Sequence, residues 1–89
     1  MPPRRQAKAR TPEHAALGEA IRQTRVRAEL SQEELADLAG TDIKQIGGLE
    51  RGVRNPSYTT LLRLATALET QVGTLATLAD QLYAERKSA

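Results

Sequence analysis

No cysteine occurs in this chain, and neither phenylalanine nor tryptophan. Without thiols there is no disulfide framework and no thiolate metal site, which agrees with a reducing compartment. The single histidine, His14, has no second imidazole or cysteine with which to complete a zinc site or a Cys–His nucleophile pair. A Ser–His–Asp triad would need His14 to meet a serine and an acid in a cleft that 89 residues hardly accommodate. The one glycine pair, Gly47-Gly48, is not followed by the Gly-Lys-Ser or Gly-Lys-Thr ending of a phosphate loop. Long apolar runs are also missing. None approaches the roughly 20 residues that cross a bilayer, and no apolar stretch follows the basic N-terminus as in a secretory signal. The expectation is a non-enzyme with no cofactor, no metal and no membrane association, working in the cytoplasm or at the nucleoid within it.

What remains is a chain rich in leucine and alanine, with Tyr58 and Tyr83 as its two aromatics. Small and straight-chain residues favour helices over strands, so the composition reads all-α. Net charge is +2, but four of the thirteen basic residues (Arg4, Arg5, Lys8 and Arg10) fall in the first ten positions. Nine basic residues then face eleven acidic ones over the rest, a balance of −2. Any surface for a polyanion must therefore be a local patch.

Five helical segments are predicted. Residues 1–10, with Pro2, Pro3 and clustered charge, read as a mobile tail, and residues 11–89 as one domain. Thr11-Pro12-Glu13 supplies an N-cap, a proline at the first helical position and an acidic first turn. The first helix runs to about Ala28 with Leu17, Ala20, Ile21 and Thr24 along one face. Ser31 and Glu34 form a capping box for the second, which points Leu35, Leu38 and Ala39 inward and stops at Gly40. Asp42 caps the third, with Gln45 in the reciprocal position, and Gly52 ends it. Ser57 caps the fourth, carrying Leu61, Leu64, Ala65 and Leu68. The fifth runs from about Val72 to Arg86.

The stretch Gln32 to Gly52 sets two short helices across a turn, with Ala36 midway along the first and Gly40 at its end. Alanine permits close backbone approach, and glycine accepts a turn conformation that costs other residues about 1 kcal/mol or more. Leu35, Ala39, Ile46 and Leu49 fill the angle between them. That is helix-turn-helix geometry, whose second helix can enter a major groove.

On these residues the chain resembles the Cro/C1-type helix-turn-helix family of phage repressors, restriction-modification controllers and antitoxin-like regulators. The agreement extends over Leu17, Ile21, Arg25, Leu30 through Ala36, Ala39-Gly40, Ile46, Leu49 through Gly52, Asn55-Pro56-Ser57 and Leu61 through Leu68. The resemblance implies a compact five-helix fold of the lambda-repressor type and a transcriptional regulator of double-stranded DNA. It implies an internal ion pair between Arg25 and Glu50 and a phosphate contact from Gln32 at a helix N-terminus. It places Ile43, Lys44 and Gly48 toward base edges, flanked by Gln45 and Gly47, with Arg51 and Arg54 as phosphate clamps. Alternatives stand beside several of these: Arg25 and Glu50 as two solvated charges, Ile43 as a staple on the core, Gln32 as a plain helix former, and Arg51 and Arg54 as solvated surface charges. The sequence departs from the family at Thr41, where an apolar residue is usual, at Glu29, where a turn glycine is common, and at Gly47-Gly48. The glycine pair reads either as a site of close backbone approach to DNA or as a weakened reader.

Two further features bear on assembly. The basic tail reads as a DNA arm or as a solubilising terminus. Val72, Leu75, Ala79 and Leu82, flanked by Leu78 and Tyr83, form a stripe too short for an independent coiled coil. A symmetric homodimer through Leu75, Leu78 and Leu82 is expected, and would read an inverted repeat. The competing function is a protein-interaction module of the same fold, an antitoxin or adaptor, whose partner the sequence does not identify.

Overall fold

Local capping chemistry sets the helix boundaries in the computed structural model, which describes residues 10–88. α1 spans Pro12–Arg27, α2 Gln32–Ala39, α3 Ile43–Arg51, α4 Tyr58–Ala67 and α5 Val72–Ser88. The described residues contain no strand. Thr11 Oγ1 accepts from the His14 amide at 3.0 Å, Asp42 Oδ1 from Gln45 at 2.8 Å and Ser57 Oγ from Thr60 at 3.1 Å. Ser31 and Glu34 close a reciprocal box, with the Ser31 amide 2.8 Å from Glu34 Oε1. Such caps each contribute about 1 kcal/mol by satisfying amides that have no partner within the helix.

The helix exits share one geometry. After α1, α2, α3 and α4 a paired hydrogen bond reaches back into the last turn, as from Thr41 N to Ala36 O (2.9 Å) and from Val53 N to Gly48 O (3.0 Å). The motif needs one residue with positive φ. Gly40 (φ 73°) and Gly52 (φ 79°) supply it after α2 and α3, but Glu29 (φ 62°) and Glu69 (φ 57°) supply it after α1 and α4. At those two exits a side chain sits in a conformation that favours glycine.

Ile21 from α1, Leu35 and Ala39 from α2, Ile46 and Leu49 from α3, Leu64 from α4 and Leu68 at its C-cap, and Leu75 from α5 form a single aliphatic core. Each large aliphatic side chain among them stabilises the fold by about 2 kcal/mol through burial. α1 is the central rod, packed along α5 on one side and across α3 on another, while α2 bridges α3 and α4.

Three expectations are corrected. Leu38 is 62% exposed: it falls between the inward positions Leu35 and Ala39 on a helix of only eight residues, so its side chain lies off the buried stripe. Gln45 does not close a box with Asp42; its side-chain oxygen instead accepts from Arg54 Nη1 at 3.2 Å. α5 continues to Ser88 rather than stopping near Arg86. The basic tail, apart from Arg10, lies outside the described residues.

Two glycines let α1 and α3 touch backbone to backbone. A Cβ on Gly18 would collide with the Leu49 carbonyl oxygen and lie 2.6 Å from that of Glu50; one on Gly52 would lie 2.8 Å from Ala15 Cα. Backbone cannot step aside as a side-chain tip can. Gly18→Ala is therefore expected to lower stability by about 2 kcal/mol despite alanine's better helix propensity. A urea denaturation midpoint at or above that of the parent chain would refute this close contact.

Candidate DNA-binding face

α3 is buried on one side and bare on the other, and the buried side is held by charge as well as by packing. Ile46 and Leu49 enter the core, and Glu50 follows them inward at 9% exposure. Withdrawing a carboxylate from water costs several kcal/mol unless its oxygens are fully paired. Three donors meet that demand. Arg25 Nε lies 2.6 Å from Glu50 Oε2, Arg25 Nη2 lies 3.0 Å from Oε1, and Gln32 Nε2 lies 3.0 Å from the same Oε1. The remaining arginine nitrogen, Nη1, donates to the Leu30 carbonyl oxygen at 2.8 Å. One carboxylate thus joins α1, the turn after it, the start of α2 and the end of α3.

The outward side carries no acid of its own, because Glu50 is the one acidic residue on α3 and it is turned inward and paired. Ile43 (49% exposed) and Lys44 project from its first turn, and Arg51 from its last. Asp42, at the cap, has an oxygen engaged by the Gln45 amide. Arg54, in the loop that follows, bends back over the helix toward Gln45. Lys44, Arg51 and Arg54 therefore share one side of the molecule.

Of the other residues marked out in the sequence, Gln32 is half-buried at the first position of α2 with its amide nitrogen held by Glu50. Beside it, the first turn of α2 carries Glu33 and Glu34, and the Glu34 amide is taken by Ser31 Oγ at 3.0 Å. Gly47 and Gly48 are both buried, and side chains lie across them. A Cβ on Gly47 would stand 3.0 Å from Arg51 Nη1, and one on Gly48 2.6 Å from Arg54 Cδ and Nε. Ile43 is not in the core cluster.

The expected assembly stripe needs one correction. Leu75 is 1% exposed and belongs to the protomer's own core, so it is not available to a second copy. Leu78 and Leu82 are half-buried and keep accessible surface. Gly18 was not marked as part of the site, although it sets how closely α3 approaches α1. An isolated glycine inside a helical pattern signals such a contact, but its partners, Leu49 and Glu50, lie far along the chain and leave no local trace.

A model of the helix-turn-helix family matches residues 21–75. The control protein C.SmaI of Serratia marcescens is 44% identical over 61 residues, which cover 68% of this chain and 73% of that protein. Among solved structures, the restriction-modification controller protein C.AhdI from Aeromonas hydrophila is 43% identical with a TM-score of 0.70, over 71% of this chain and 91% of that one. The clp gene regulator ClgR from Corynebacterium glutamicum superimposes at a TM-score of 0.83 with 26% identity, over 85% of this chain and 81% of its own.

Removing one member of the buried pair should cost more than removing both. Glu50→Ala strands the Arg25 guanidinium and is expected to lower stability by about 3 kcal/mol, whereas Arg25→Met combined with Glu50→Leu should recover more than half of that loss. Chemical denaturation of the three proteins checks it. A double variant that loses as much as Glu50→Ala, or more, would show that a stranded arginine is not what makes the single substitution costly.

Proposed function

The chain belongs to the helix-turn-helix family of DNA-binding transcriptional regulators, and from that premise we propose that it works as a symmetric dimer on an inverted repeat of double-stranded DNA, with α3 lying in the major groove. The observation that carries this reading is the charge sorting of α3. Its single acid is buried and neutralised, while Lys44, Arg51 and the returning Arg54 occupy the free side. A helix offering cations and no exposed carboxylate to a groove lined by phosphates gains affinity by releasing counterions.

Within that reading, Lys44 donates to a guanine edge and Ile43 packs against a thymine methyl. Gln32 at the start of α2 meets a phosphate and sets the register, as Arg51 does at the end of α3. Two copies related by a two-fold axis place their α3 helices about 34 Å apart, one turn of DNA. The accessible parts of Leu78 and Leu82 on α5 supply the apolar contact between copies. Regulation then proceeds by occupancy of an operator, without a catalytic step, in the cytoplasm at the nucleoid.

Titration against a random duplex at low and moderate salt should show binding that weakens steeply as salt rises. Lys44→Glu combined with Arg51→Glu should abolish it while leaving the far-UV spectrum and melting temperature in place. Absence of binding by the parent chain at low salt would remove the DNA assignment in favour of a protein-interaction role. Undiminished binding by the double variant would move the DNA face elsewhere.

Assembly is tested separately. Sedimentation at micromolar concentration should find a dimer, and Leu82→Glu should shift it toward monomer by at least tenfold in the dissociation constant. A parent chain that sediments as a monomer throughout would exclude the α5 contact.

A further inference from the structure

The glycine pair on α3 removes two side chains from a helix that is short of them, yet neither position is empty. Arg54 departs from the loop after α3 and returns along the helix. A Cβ on Gly48 would lie 2.6 Å from Arg54 Cδ, 2.6 Å from Nε and 2.8 Å from Cγ, so the aliphatic stem rests directly on the glycine. The guanidinium is then steadied by Gln45, three residues before Gly48 on the same face, whose Oε1 accepts from Arg54 Nη1 at 3.2 Å. Position 48 is thus filled by a side chain that belongs to position 54.

We propose that Arg54 is a specificity-determining residue that reads a guanine from the slot left by Gly48, and that Gly48 and Gln45 are its positioning residues. This deepens the regulator reading and rests on it. A phosphate clamp needs only a cation at the groove's rim, and a flexible arginine on the loop would serve. Here the stem lies over the centre of α3, between Lys44 one turn before position 48 and Arg51 one turn after it. One of the guanidinium's five N–H donors is taken by Gln45, and those that remain can form the paired bonds that guanine O6 and N7 accept. The atom of Gln45 engaged by Arg54 is Oε1, so its own amide donors are not used in that contact. Any residue larger than glycine at 48 would displace the stem. Because the displaced group is an exposed side chain and not backbone, that displacement is tolerated by the fold, unlike a Cβ on Gly18.

The experiment is a selection of bound sites from a random duplex pool, followed by titrations of the parent, Gly48→Ala, Arg54→Ala and Arg54→Lys on the selected site. The same titrations are run on that site with each base pair changed singly. The expected result is that the parent discriminates one G·C pair per half-site by ten- to hundredfold, on the order of the discrimination a bidentate contact supplies. All three variants should lose that preference at the same position. Gly48→Ala should do so with an unchanged or raised melting temperature. If Arg54→Ala instead weakens every sequence equally, with the salt slope lowered by about one, Arg54 is a phosphate clamp and the inference is overturned. Retention of the G·C preference by Gly48→Ala would overturn the positioning role. These failures occur with the parent still bound to DNA, and so differ from a parent chain that binds no duplex, which would take the regulator reading with it.

Discussion

The architecture depends on pinning α3 from behind so that its front can be spared. A recognition element has to keep one side free of packing, which leaves a nine-residue helix with fewer contacts to hold it in place. The Arg25–Glu50 bridge compensates for this. It lies where α1, the turn after α1, α2 and α3 converge, and each side-chain nitrogen of Arg25 and each carboxylate oxygen of Glu50 has a partner. Such a network gains little stability over an aliphatic replacement, because desolvation consumes most of the attraction. Its benefit is directional: a bidentate arginine fixes rotation about the α3 axis, which leucine packing tolerates within a wider range.

Backbone contact fixes the remaining freedom. Gly18 brings α1 against the carbonyls of Leu49 and Glu50, and Gly52 brings the exit of α3 against Ala15. The translation of α3 is set by atoms that have no rotamers, and its rotation by a paired charge. The aliphatic core, lacking Phe and Trp, then has only to fill the interior. A core of leucine, isoleucine and alanine is permissive toward small shifts, so the precision of the exposed face comes from the polar and glycine contacts around it.

Much of this was legible in the chain itself, and the parts that were not share a cause. Thr11, Ser31, Asp42 and Ser57 cap the helices they announce, because capping is written within four residues. Gly40 and Gly52 end α2 and α3 for the same reason. Leu38 misled because an eight-residue helix offers two turns, too few for periodicity to separate an inward leucine from one at the edge of the stripe. Leu75 and Leu78 carry the same side chain three residues apart, yet one is in the core and the other half-accessible. That difference depends on how α5 lies along α1, a long-range relation that spacing does not encode. The role of Gly18 was invisible for the same reason.

The glycine pair shows how a local rule can mislead and still be informative. Two glycines inside a helix should weaken it by roughly 1 kcal/mol each, and a reading face without side chains should read poorly. Both statements hold for the isolated helix. In the folded chain, Gly47 lies under Arg51 and Gly48 under Arg54, so the helix surrenders its own side chains at positions then occupied by arginines from its last turn and the following loop. Arginine is longer and carries more donors than any residue that could have stood at position 48 without crowding its neighbours. The propensity lost within α3 is set against planar, multi-donor groups laid along its exposed side, and a helix already pinned from behind can absorb that loss.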